Sequence, residues 1–126
     1  MKLENHICSL EPSKKLKELG VKQESLFWWN VFIDPRTGKR KRILDYDLSK
    51  TFGDYYSAYT VAELGEMLPV GFFTCKHTIR WECCNSMIQY DNWREGISNT
   101  LTLKYADTEA DARAQMLIYL IENKLI

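Results

Sequence analysis

Residues 74–87 read TCKHTIRWECCNSM, and they hold three of the four cysteines and one of the two histidines, as Cys75, His77, Cys83 and Cys84. Soft nitrogen and sulfur donors at this density raise zinc or thiol chemistry. Strand geometry argues otherwise. No glycine, proline or asparagine falls between Thr74 and Cys84, so the segment is expected to form one uninterrupted strand, with Asn85 and Ser86 turning into MIQYDNW. In that register Cys84 opposes Met87, Cys83 opposes Ile88, Glu82 opposes Gln89, Trp81 opposes Tyr90 and Arg80 opposes Asp91, which makes one apolar face and one polar face. Cys75 and Cys83 would then lie about 26 Å apart, whereas thiolates on one zinc each sit about 2.3 Å from it. Adjacent Cys83 and Cys84 point to opposite faces. Cys75 and His77 alone share a face, with His6 and Cys8 the remaining donors, so no metal and no cofactor is expected. Cys83 should fill core space, and Cys75 and His77 should sit near the strand end.

The other elements follow from the same patterns. EPSKKLKELG reads as a helix with Pro12 in its first turn, Leu16 and Leu19 inward and Gly20 as a left-handed stop. LFWWNVFID is a strand apolar on both faces, hence central and covered. DPRTGK, with Pro35 and Gly38, turns it into KRILDYDL, whose Leu44, Tyr46 and Leu48 share a face. Thr60 and Glu63 form a capping box for a short helix carrying Val61, Leu64 and Leu68. The chain is strand-like from VGFF to residue 93. TLTLKYA then alternates, with Leu101, Leu103 and Tyr105 opposite Thr100, Thr102 and Lys104. Thr108 and Asp111 cap a last helix reaching about Lys124, with Ala110, Ala114, Leu117 and Ile121 inward and Asp111, Gln115 and Glu122 in solvent. The expectation is one α+β domain over residues 1–126: an antiparallel sheet of about five strands, two hairpins plus a further strand, and about three helices, the C-terminal one packed on one face.

Seventeen basic residues balance seventeen acidic ones, so no overall field draws the chain to nucleic acid or an anionic membrane. The longest uncharged run, SLFWWNVFI, is far shorter than the roughly 20 residues of a membrane span. Irregularly spaced cysteines fit reduced thiols and a cytoplasmic location. Arg36, Lys39, Arg40, Lys41 and Arg42 form the concentrated basic patch, on a hairpin tip beside Trp28 and Trp29. Cations there could grip phosphates while a tryptophan stacks on a base, or they could simply solvate a hairpin edge. Asp45, Asp47 and Asp54 are candidate magnesium ligands without a supporting motif. No catalytic motif is present, so no catalytic residue is named and a non-enzyme is expected. Aromatic residues exceed the needs of a small core, and Trp93, on the polar side of the expected second hairpin, is the best candidate for an exposed binding residue.

YTVAELGEMLP in the middle of the chain and ADTEADARAQMLIYLIENKLI at its end resemble small uncharacterised proteins encoded by bacteriophages and prophages. The resemblance extends from Leu16 onward and implies a bacterial host cytoplasm, without an activity or site residues. Three functional readings follow. The first is a non-enzymatic phage accessory protein that binds a host or phage protein, as in counter-defence. The second is nucleic-acid binding through hairpin 36–42. The third is a small-ligand or nucleotide binder, with its site at a homodimer interface.

Overall fold

A computed structural model of the protein describes residues 2–46, 53–69, 71–85 and 103–126. After a short 3-10 turn at Leu3–His6, helix α1 spans Leu10–Glu18. It holds Pro12 in its first turn, buries Leu16 and ends where Gly20 adopts a φ of 87°. The Val21 N–H then reaches back to the Leu16 carbonyl at 3.1 Å, closing the helix end. The first sheet is antiparallel, with β1 (Trp28–Ile33) between β2 (Arg40–Asp45) and β3 (Asp54–Ser57). Helix α2 (Val61–Met67) starts on the capping box of Thr60 and Glu63. The second sheet places β5 (Trp81–Asn85) between β4 (Phe72–Lys76) and β6 (Lys104–Ala106), again antiparallel. Helix α3 (Glu109–Glu122) closes the chain from its cap at Thr108. The α+β class holds, with the C-terminal helix packed on a sheet, and the described strands are shared between two three-stranded sheets.

Helix α3 organises the larger core. Ala110, Ala112, Ala114, Met116, Leu117, Ile118 and Leu120 are all buried, a wider surface than the expected stripe, because α1, α2 and the second sheet each pack against it. Three alanines let those neighbours approach closely, and Leu16, Leu64 and Cys83 fill the space between them. A second cluster of Ile7, Leu10, Trp29, Val31 and Ala58 joins α1 to the first sheet. There the Trp29 indole N–H donates to the Cys8 carbonyl at 2.9 Å, so a buried polar atom is satisfied.

The deciding stretch folds differently from its sequence reading. It is a hairpin, not one strand: β4 ends at Lys76 and β5 begins at Trp81. The His77 N–H donates to the Arg80 carbonyl at 2.8 Å, and none of residues 77–80 takes a positive φ. A turn with ordinary dihedrals accepts most residue types, which is why no glycine, proline or asparagine marks it. The partners expected at 87–91 lie outside the described residues, and both edges of Trp81–Cys83 carry β4 and β6.

Smaller corrections share one cause, that a local pattern does not say which neighbour an element will meet. β3 takes up the residues just before α2 as an edge strand on β1, which the sequence reading left without an element. Tyr46 falls just past β2 and is 82% exposed rather than sharing a covered face with Leu44, and Leu48 lies outside the described residues. Tyr105 turns outward at 39% exposure, because in β6 it is Ala106 that packs on the core and Lys104 that pairs with the buried Cys83.

Asp111 is not a solvated residue. Its carboxylate accepts from the Ser9 N–H at 2.7 Å and from the Ser9 hydroxyl at 2.9 Å, bridging the start of α3 to the start of α1. One acid thereby serves two helix N-termini, since its own N–H is held by Thr108 Oγ1 at 3.2 Å. Replacing Asp111 with Ala is expected to cost about 1.5–3 kcal/mol, the range for hydrogen bonds to a charged group. A urea midpoint indistinguishable from the parent's would show that the bridge contributes nothing.

Candidate functional site

Two surface features gather the polar residues that the sequence singled out. The first is the hairpin β1–β2. Arg36, Lys39, Arg40, Lys41 and Arg42 are all exposed, and β2 is an outer strand, hydrogen-bonded to β1 on one side only among the described residues. Alternation splits the cations between faces. Arg42 stands over the Trp29 ring, 5.9 Å from its centroid, and Lys41 reaches Asp34 at 2.9 Å. The Lys41 hydrogen bond, aided by the Arg36 N–H, holds the Asp34 carboxyl below its ordinary range.

Trp28 does not join this surface. It is buried at 6% exposure and meets Tyr55 edge to face with ring centroids 5.5 Å apart, so its ring is not free to stack on a base. Trp93 lies outside the described residues. Asp45 and Asp54 do not converge either: they sit on β2 and β3, with β1 between them, opposite Trp28 and Val31 respectively, and Asp47 lies outside the described residues. On the far edge of the same sheet, Lys17 donates to the Tyr55 carbonyl at 2.9 Å and lies 4.7 Å from the Tyr55 ring centroid, which covers part of the β3 edge.

The second feature is built by the corrected hairpin. Its register sets Cys75 opposite Glu82, and the turn brings His77 back over both. His77 Nε2 lies 2.7 Å from Glu82 Oε2 and 3.8 Å from Cys75 Sγ. Tyr105, opposite Glu82 on β6, presents its ring edge-on to His77 with centroids 6.5 Å apart, and the Arg80 guanidinium lies 3.8 Å from the Tyr105 ring centroid. The separation of about 26 Å expected between Cys75 and Cys83 therefore does not exist, since the two lie in neighbouring cross-strand pairs. They still avoid each other, because Cys83 points into the core while Cys75 lies on the outer face.

A cysteine, a histidine and a carboxylate in contact invite comparison with a nucleophile, base and orienting acid. The geometry does not fit that relay, which needs the thiol at one ring nitrogen and the carboxylate at the other. Here both meet Nε2. The remaining cysteines are poor nucleophiles: burial pushes the Cys83 thiol up to about 12 and those of Cys8 and Cys84 up to about 11, leaving them protonated near neutrality.

No family model matches this chain, and comparison with curated proteins and with solved structures returns no match. No described helix is long and apolar enough to cross a membrane. The functional reading therefore rests on these two surfaces. The sequence identified the first by its charge density. It missed the second because the turn that creates it has no compositional mark, although a cysteine two residues before a histidine was its visible trace.

Proposed function

We propose that this protein is a non-catalytic binding protein that takes an acidic, extended segment of a partner protein along the outer edge of β2. The observation that carries this reading is the position of the basic run on an outer strand: among the described residues β2 has β1 on one side and no strand on the other, and its Arg40, Lys41 and Arg42 are exposed. An edge strand offers unpaired backbone N–H and C=O groups to an incoming strand, and flanking cations select a partner by charge and speed the encounter. With basic and acidic residues balanced, no overall field competes with this local attraction. With the phage resemblance, the partner class expected is a host or phage protein. The burial of Trp28 weighs against single-stranded nucleic acid, whose binding draws on exposed aromatic platforms.

The test compares the parent with a variant in which Lys39, Arg40, Lys41 and Arg42 are all replaced by Gln. Each is used as bait in bacterial lysate with and without nuclease treatment, with bound proteins quantified by mass spectrometry. A specific partner should be captured by the parent and reduced at least tenfold with the variant. Equal capture by both proteins would remove the β2 edge from the interface, and capture lost on nuclease treatment alone would favour the nucleic-acid reading.

A further inference from the structure

We infer that Cys75, His77 and Glu82 form a solvent-open site for a zinc-type divalent cation. The three donor atoms, Cys75 Sγ, His77 Nε2 and a Glu82 carboxylate oxygen, all lie within 4.8 Å of one another. Zinc binds sulfur at about 2.3 Å and nitrogen or oxygen at about 2.0–2.2 Å, so tetrahedral ligands stand about 3.3–3.8 Å apart. The Cys75 to His77 distance of 3.8 Å already matches. The His77 to Glu82 contact of 2.7 Å has to open by about 0.6 Å, exchanging a hydrogen bond for two metal bonds.

The feature that rules out a catalytic relay is the one a metal requires. Sulfur and carboxylate both approach a single imidazole nitrogen, Nε2, so the three donors share one focus. Two constraints fix them: cross-strand register places Cys75 and Glu82, and the backbone hydrogen bond to Arg80 places His77. The Tyr105 ring packs at a steep angle against the imidazole, and the Arg80 guanidinium is occupied over Tyr105. Charge also balances: a thiolate, a carboxylate and a neutral imidazole offset the two positive charges of the ion. The thiol proton, with any proton shared by His77 and Glu82, passes to solvent as the bonds form. His77 is 49% exposed, so the fourth position is open to water or to a donor from a bound partner.

Cobalt(II) serves as the spectroscopic probe and zinc as its competitor, added to the full chain under reducing conditions. One equivalent of cobalt is expected to give a thiolate-to-cobalt charge-transfer band together with tetrahedral visible bands, both displaced by zinc. Cys75→Ser should abolish the charge-transfer band, whereas Cys84→Ala should retain it. His77→Gln and Glu82→Gln should each weaken cobalt binding at least tenfold, with far-ultraviolet circular dichroism unchanged because none of the three side chains belongs to the buried core. The proposal is overturned by absence of the band in the parent at one equivalent, by its survival in Cys75→Ser, or by unaltered affinity in both the His77 and Glu82 variants.

Discussion

Replacing Gly53 with Ala is expected to destabilise the protein by about 2–4 kcal/mol, combining the strain of a left-handed residue with a backbone collision. Gly53 has a φ of 87°, and it enters β3 alongside the central strand so closely that a Cβ would stand 2.5 Å from the Val31 carbonyl oxygen. Relief cannot come from a rotating side chain. Val31 is paired to Arg42 on one side and Asp54 on the other, so moving its carbonyl disturbs both ladders of the first sheet. Gly20 supplies the control, since it has the same φ of 87° with nothing within 4 Å of its added Cβ. Gly20→Ala should therefore cost only about 1 kcal/mol, the conformational part alone. Thermal unfolding separates the two, with an expected fall in Tm on the order of 10 °C for Gly53→Ala and a few degrees for Gly20→Ala. Equal losses in the two variants would mean that Gly53 is not packed against β1 as described.

The second large effect is a loss of stability in alkali. Burial raises Cys83 from 9.0 to about 12, Cys8 and Cys84 from 9.0 to about 11, and Tyr59 from 10.0 to about 12. All four groups hold their protons more tightly in the folded chain. As pH rises past about 9 the unfolded chain ionises first and binds fewer protons than the native one, so stability falls with pH. The contribution is fully present below about pH 9 and is lost progressively as pH climbs toward 11–12. Each thiol that ionises only in the unfolded chain costs about 1.4 kcal/mol per pH unit, so the two most deeply buried, Cys8 and Cys83, together amount to a few kcal/mol by pH 11. Urea midpoints at pH 7.5, 9 and 10.5 would read this directly, and Cys83→Ala should make the decline shallower. A midpoint that holds steady from pH 7.5 to 10.5 would refute the burial of the thiols.

Much of the architecture was legible because its signals are local. The Thr60 and Glu63 pair specifies a helix start through two hydrogen bonds three residues apart, and both form. Gly20 stops α1, and the aromatic run at Trp28–Ile33 becomes the central strand that its apolar faces require. Cys83 is buried, as its place among apolar neighbours implied. The basic hairpin was equally plain, since charge density is a property of the chain itself. What escaped were relations between distant residues: Asp111 with Ser9, which are 102 positions apart, and the outward turn of Tyr105.

The segment Thr74–Met87 divides the two kinds of information most clearly. Sequence alone determined that its residues favour extended backbone and that Cys83 and Cys84 face opposite ways, because alternation is built into a strand. Where that strand breaks was decided by tertiary structure. Folding it at 77–80 lets β4 and β5 both lay their inner faces on α3, and one continuous strand of eleven residues would extend beyond that helix-covered surface. That burial, distributed over α3 and unmarked by any turn residue, is what carries His77 back onto Cys75 and Glu82 and creates the cluster that the linear reading had spread apart.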